Sequence, residues 1–274
     1  GVTWAAPCTD IVVSANTSTP VVVSCPGVNV SVNASLAVPG GTALTNNDGT
    51  ISGDLISLTI GSTGAVSGQN AVVLSSATVT GDITNNGLIN SYWSGGGSGF
   101  GGPGISLNDM VVNGTISNTG TIQGGYSGIE MSSSSTELLR NSGTITSGGI
   151  GLDFGAAAIG ELRNESTGLI HGNNQGLRIN SNTSIDLLNN SGTISSYGDA
   201  IAIFNNSHVD EITNQSGALI SGGDNGIIVD GSGRLGSLSN SGRIEGDEAG
   251  IQTYYGTVTG TITNQATGTI HGDE

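Results

Sequence analysis

A phrase that returns about every 24 residues is the feature of this sequence that most limits its fold. It reads Ile or Leu, any residue, Asn, one to three residues, and then Gly, any residue and Ile, as in ITNNGLI (83–89) and LNNSGTI (188–194). The closing isoleucines follow one another after 33, 23, 25, 24, 26, 24 and 26 residues: Ile89, Ile122, Ile145, Ile170, Ile194, Ile220, Ile244 and Ile270. Self-similarity at such a period is the signature of a solenoid.

Two further aliphatic series keep the same rhythm. After each phrase comes a small residue and then an aliphatic one, at Val72, Ile105, Ile129, Leu152, Leu177, Ile201, Ile227 and Ile251. Another series comes just before the Asn: Val79, Val112, Ile159, Ile185, Val209, Leu235 and Val258 precede Ile83, Ile116, Leu162, Leu188, Ile212, Leu238 and Ile262. The sequence therefore predicts three short strands per repeat.

Each predicted strand holds only two or three inward apolar residues at period two, too few for an independent sheet. When successive repeats stack in register, each backbone N–H and C=O finds a partner in the next coil, and the aliphatic residues form continuous columns. Gly and Asn suit the corners, where the backbone needs φ > 0 or a side-chain hydrogen bond. We therefore predict an all-β fold, a right-handed, three-sided parallel β-helix (solenoid), over residues 44–274, with an N-terminal cap.

Residues 1–43 lack the repeat and are predicted to be this N-terminal capping segment, because an open coil end exposes unpaired strand edges. Both cysteines lie in it, and we favour a Cys8–Cys25 disulfide, as in an exported protein, over two inert thiols. Two ligands alone cannot complete a structural zinc site. The last residues, Ile270 to Glu274, copy Ile244 to Glu248 and stop within a repeat, so we expect this chain to be a fragment that continues beyond residue 274.

Charge excludes several classes of partner. The chain has 21 acidic residues, five Arg and no Lys, with a net charge of −16. Nucleic-acid binding needs several cationic phosphate contacts and is excluded, and an anionic membrane surface is disfavoured in the same way. No apolar run approaches the roughly 20 residues of a membrane-spanning helix.

The repeat of 33 residues contains a Gly-rich insertion with three aromatic residues, Tyr92, Trp93 and Phe100. Insertions into solenoids emerge as loops and often carry binding sites. These aromatics are predicted to stack on sugars or on a partner surface, and the alternative is a tolerated Gly-rich excursion.

Acidic residues recur three or four places before the motif Asn in four consecutive repeats: Glu137, Glu161, Asp186, Asp210 and Glu211. A looser acidic edge follows the turns at Asp199, Asp224, Asp247 and Glu248. Both stripes are interpreted as solvated faces that keep the molecule soluble, and the alternative is that they bind Ca²⁺ or contact a polar partner. The first stripe is also the candidate surface for self-association, because its acidic residues, together with Asn, Thr and Ser, offer polar contacts along the side of the solenoid.

Catalysis is not expected. His171 and His271 are four repeats apart, about 19 Å at the spacing of paired strands, too far to share a metal or a proton. The chain has no Lys and no Asp-Asp pair to act on an acidic polysaccharide, and Arg178 is the only cation in the middle strand series. We predict no enzyme activity, no cofactor and no metal site.

The phrases NSGTI (141–145 and 190–194) and NSGRI (240–244), with the intervening Gly-Ile pieces, resemble the passenger domains of bacterial autotransporters, specifically the self-associating AIDA-type adhesins. The resemblance covers residues 44–274. It implies export across the outer membrane by a C-terminal β-barrel that is absent here, display at the cell surface, and aggregation or biofilm formation.

The expected partners are copies of the same chain on neighbouring cells. A host glycan or receptor, bound through the loop with Trp93, is the alternative, and a polysaccharide-active enzyme is a third hypothesis.

Overall fold

The computed structural model describes residues 8–47, 53–92 and 101–273. Over these residues the chain is all-β, a parallel β-solenoid of about ten coils. Within the described ranges there is no helix with the length and apolar character needed to cross a membrane.

The strands of the N-terminal half are β1 (Ile11–Val13), β2 (Val21–Val22), β3 (Val28–Val32), β4 (Ser35–Thr45), β5 (Leu55–Ile60), β6 (Ala65–Val79), β7 (Ile83–Asn85), β8 (Leu88–Ser91), β9 (Ile105–Asn118), β10 (Thr121–Gly124), β11 (Ser127–Ser132) and β12 (Ser135–Asn141). The later strands are β13 (Thr144–Ser147), β14 (Ile150–Gly155), β15 (Ala158–Asn164), β16 (Leu169–Gly172), β17 (Gln175–Asn180), β18 (Ser184–Asn190), β19 (Thr193–Ser196), β20 (Asp199–Ile203), β21 (His208–Asn214), β22 (Leu219–Gly222), β23 (Asn225–Asp230), β24 (Arg234–Asn240), β25 (Arg243–Gly246), β26 (Ala249–Tyr254), β27 (Thr257–Val258), β28 (Ile262–Asn264) and β29 (Thr269–Gly272).

From β10 onward each coil contributes three strands, which pair in parallel with the strands one coil later; in the last coil the third strand is divided into β27 and β28, and both pair with β24. We call the resulting stacks A (the first parts of β4 and β6, then β8, β10, β13, β16, β19, β22, β25, β29), B (β11, β14, β17, β20, β23, β26) and C (β12, β15, β18, β21, β24, β28). The long strands β4, β6 and β9 each run through more than one stack. The right-handed sense and the triangular cross-section stay predictions, because strand pairing is the same for either hand.

The predicted register is confirmed. The eight closing isoleucines pair one above another along stack A, from Ile89 to Ile270. The second series pairs in the same way from Val72 to Ile251. These columns form one continuous buried core, in which Phe154 is the largest fully buried side chain. A hydrophobic interior thus runs the length of the solenoid, and the residues of each of these columns lie one above another.

The motif asparagines lie inside the solenoid and form a ladder of side-chain amides. Each Nδ2 donates to the Oδ1 of the equivalent Asn in the next coil, with N···O distances of 2.8–2.9 Å. The ladder contains Asn85, Asn118, Asn141, Asn164, Asn190, Asn214, Asn240 and Asn264, and all but the last are buried. Side-chain-to-backbone bonds were expected at these positions, and the bonds from one Asn to the next were not.

The corner between stacks B and C holds residues with positive φ, but they are mostly not glycine. They include Ser133 (φ 50), Ala156 (φ 53) and Asn205 (φ 53). Glycine is required elsewhere, after the motif Asn: a Cβ on Gly192 would press against the carbonyl oxygens of Glu165 and Gly168 in the preceding coil. Close stacking of successive turns, rather than φ, therefore explains that glycine.

Parallel pairing extends into the predicted capping segment, since β1 pairs with β3 and β2 pairs with β4. The Cys8 and Cys25 sulfur atoms lie at disulfide distance, with Cα atoms 5.9 Å apart, within the normal range. The bridge joins the segment before β1 to the turn between β2 and β3. The domain boundary at residue 43 stays a prediction, and it falls within β4.

Candidate functional site

The predicted acidic residues all lie on stack C, but they divide between two neighbouring columns. By the flanking register, Glu137, Gly160, Asp186 and Asp210 follow one another in successive coils. Only Asp186 and Asp210 are therefore acidic neighbours in adjacent coils, about 4.8 Å apart along the axis. Glycine at position 160 separates Glu137 from Asp186.

The second column alternates acidic and apolar residues: Leu138 pairs with Glu161, Glu161 with Leu187, and Leu187 with Glu211. Glu161 is neutralised by Arg163, whose Nε lies 2.8 Å and whose terminal nitrogen lies 2.7 Å from its two carboxylate oxygens. The expected stripe of stacked like charges is thus broken by Gly160, Leu187 and one ion pair, which lowers the repulsion between coils.

A shallow groove of about 230 Å³ lies between Glu137 and Asp186, with Ala158, Ile159 and Gly160 among its lining residues. The two acidic residues stand two coils apart, about 10 Å along the axis. Across the described ranges, no group of three or more His, Cys, Asp or Glu side chains is arranged to hold a metal ion. The groove can accept hydrogen bonds from a donor but offers no multidentate cage.

The predicted aromatic loop is only partly within the described residues. Tyr92 is half-buried at the end of β8, where its amide donates to the carbonyl of Gly68, and the chain returns at Gly101 against its backbone. Trp93 and Phe100 lie outside the described residues, so their predicted role in binding stays a prediction.

Stack B carries an ionic column that sequence reasoning missed, in which Glu130, Asp153 and Arg178 occupy successive coils. Arg178 clamps the Asp153 carboxylate through two bonds of 2.7 and 2.5 Å, and it also donates to the Tyr126 hydroxyl at 3.4 Å. Burial, and secondly the charge of Asp153, raise the pKa of Glu130 above its ordinary value, while Arg178 lowers it. One cation thus serves two stacked carboxylates.

The looser acidic edge is held partly within the turns. Asp199 accepts a 2.9 Å hydrogen bond from the side-chain amide of Asn225. Burial raises the pKa of Asp199, the amides of Asn225 and Gln175 lower it, and the nearby charge of Asp224 raises it further. Asp199 is consequently a fixed acceptor at the edge of stack B.

Stack A has the opposite character, because its outward positions carry no charge over eight successive coils. These positions flank each inward residue of the stack, as Thr144 and Thr146 flank Ile145. From the N-terminal end they are Ser35, Ala37, Ala65, Ser67, Leu88, Asn90, Thr121, Gln123, Thr144, Thr146, Leu169, His171, Thr193, Ser195, Leu219 and Ser221, and none of them is Asp, Glu, Lys or Arg. The first formal charges are the ion-paired Arg243 and Glu245 in the following coil. On a chain with a net charge of −16, this neutral polar surface is the candidate functional face.

Comparison of the chain with protein-family models, with curated proteins and with solved structures finds no match.

Proposed function

We propose that this chain is the passenger region of a self-associating autotransporter adhesin, exported across the outer membrane and displayed at the cell surface. There it mediates bacterial aggregation and biofilm formation through contacts with copies of itself. The proposal assigns the chain a binding role and no reaction. Its support comes from the repeat phrases, the parallel solenoid and the neutral face of stack A.

The neutral face carries the argument for homotypic contact. Two molecules with a charge of −16 each repel one another, and the repulsion is least where the facing surfaces hold no carboxylates. Serine, threonine, asparagine and glutamine side chains both donate and accept hydrogen bonds, so a face of this kind is complementary to its own copy. Stack A therefore provides the surface on which two rods can meet lengthwise.

The size of this face predicts a weak contact. Eight coils at about 4.8 Å and four-residue strands at about 3.3 Å per residue give about 38 by 13 Å, or about 500 Å² per molecule. Stable protein interfaces bury about 800 Å² per partner, so single contacts here are transient. Many copies on one cell surface convert such contacts into firm adhesion through avidity.

A host glycan or receptor is the second candidate partner, and it rests on the aromatic loop. Tyr92 lies where that loop leaves the solenoid. Alanine at Trp93 should then abolish binding on a glycan array without changing homotypic aggregation.

The homotypic proposal is tested by placing charge on stack A. The double variant Thr146→Asp/Thr193→Asp adds two carboxylates to the neutral face at half-buried positions. The matched control Asn189→Asp/Ser239→Asp adds the same charge to stack C, where both side chains act as hydrogen-bond acceptors that aspartate can replace. Sedimentation velocity over a concentration series and settling of cells that display the chain are the two measurements.

We expect the stack A variant to remain monomeric and its cells to stay suspended, while the control associates like the parent. Equal loss in both variants would show that net charge, rather than this face, controls association. A parent chain that stays monomeric at high concentration and leaves cells in suspension would refute homotypic adhesion.

A further inference from the structure

Stack B changes character in its middle coils. Its outward column reads Ser106, Glu130, Asp153, Arg178, Ala202, Ile228 and Gln252 in successive coils. Within this stretch the apolar members are Ala202, which is fully buried, and Ile228, which is half-buried, and both line a cleft of about 200 Å³. Ile228 thus gives the cleft an apolar floor within a run of outward residues that is otherwise mostly polar from Ser106 to Gln252, which points to a ligand with an apolar face.

Polar groups stand on both sides of this floor. Asp199 and Gln175 line one side, with the Asp199 carboxylate fixed by the Asn225 amide. Asp230 and Asn205 line the other side, and Asp230 accepts a 2.6 Å bond from the Gly231 amide. The acceptors on both walls are therefore held in place before any ligand arrives.

An aromatic residue completes the second wall. Phe204, the residue after β20, is half-buried beside Asp230, since the residues that precede these two, Ile203 and Val229, are paired. Asp230 pairs in turn with Tyr254 in the following coil. Phe204 and Asp230 thus stand side by side on one wall of the cleft, and Tyr254 lies one coil beyond Asp230.

We propose that this cleft binds one pyranose ring of a neutral glycan. The apolar face of the sugar would lie on Ile228 and Phe204, and its hydroxyl groups would bond to Asp199, Asp230 and the amides of Gln175 and Asn205.

The mixture of donors and acceptors favours a sugar over an amine. Hydroxyl groups both donate and accept, which matches a lining of carboxylates and amides, whereas an ammonium group only donates. The lining holds two carboxylates and no cation, and the adjacent Arg178 is already bound to Asp153, so acidic sugars are repelled. This site is separate from stack A and does not depend on homotypic contact.

The experiment is a saturation-transfer NMR titration of the full chain with methyl glucoside, methyl galactoside and methyl mannoside, with methyl glucuronide and n-butylamine as comparison probes. Ile228→Gln copies Gln252, the residue that this column carries one coil later, and Asp199→Asn retains an acceptor for Asn225. Gln252→Ala is the matched control, and circular dichroism checks that every variant folds.

We expect at least one neutral hexoside to bind with a millimolar Kd and the glucuronide not to bind. Each cleft variant should weaken that hexoside at least about fivefold, the effect of losing one good contact, while the control leaves it unchanged. The proposal is overturned if none of the three hexosides binds, if n-butylamine binds in their place, or if folded cleft variants bind as the parent does.

Discussion

The asparagine ladder yields a sharp prediction about stability, for which Asn190→Ala is the best perturbation. Asn190 is fully buried, and its Nδ2 donates to Gly192 O at 3.2 Å, Asn214 Oδ1 at 2.9 Å and Leu219 O at 3.1 Å. Its Oδ1 accepts a 2.9 Å bond from Asn164 Nδ2. Alanine removes all four bonds from the interior at once.

The loss of stability depends on which hydrogen-bond partners of Asn190 keep another partner in the variant. Asn164 Nδ2 retains the carbonyls of Gly168 and Thr193, but Asn214 Oδ1 loses its only side-chain donor. A buried acceptor left without a partner costs about 1–3 kcal/mol, and the space left by the missing amide adds about 1 kcal/mol. We therefore expect Asn190→Ala to reduce the free energy of unfolding of its coil by about 2–4 kcal/mol.

Asn189→Ala is the control, because its side chain is half-buried on the outside of the same strand and accepts one bond from Gln215. It should cost no more than about 1 kcal/mol. Urea unfolding gives the overall change, and hydrogen exchange of the amides around Asn164 and Asn214 locates it, since each coil of a solenoid contacts only its neighbours. If the two variants differ by less than about 0.5 kcal/mol, the ladder is not a source of stability.

Three other predictions concern charge and the disulfide. Glu130 has a raised pKa in the folded state, so the native protein holds this proton more tightly than the unfolded chain, and the contribution of Glu130 to stability falls as pH rises above about 4.5. In urea titrations, Glu130→Gln should therefore gain stability relative to the parent between acidic and neutral pH. A difference that does not depend on pH would contradict this. Reduction of the Cys8–Cys25 bridge, which spans 17 residues, should lower the free energy of unfolding by about 3 kcal/mol, with the effect confined to β1–β3. Hydrogen exchange with and without reductant would show this, and loss of protection in distant coils would contradict it. Raising salt from about 20 to 200 mM should strengthen homotypic association in sedimentation runs by screening like charges, whereas weakening would indicate contact through ion pairs.

The sequence predicts the solenoid well because its fold is local and repeated. Each aliphatic column was visible as a constant spacing, and the isoleucines from Ile89 to Ile270 pair as that spacing requires. The neutral face was also readable, since its residues flank each of those isoleucines. It was not predicted, because uncharged outward positions form no motif that stands out in a sequence with so few charged residues.

The acidic stripe shows where sequence reasoning fails. Counting back from the motif Asn places Glu137 and Glu161 in one group, but a difference of one residue along a strand moves a side chain into a different column. The ion pair between Arg178 and Asp153 joins residues 25 apart, and no local pattern indicates it.

The period, the strand register and the buried aliphatic columns follow from the order of residues alone, because period-two burial and a fixed repeat leave one way to pair every backbone N–H and C=O. The tertiary structure alone decided which outward residues become neighbours: the amide ladder, the Asp153–Arg178 clamp and the cleft over Ala202 and Ile228. The physical reason is that stacking brings together residues a whole repeat apart, and small differences in repeat length decide which side chains meet.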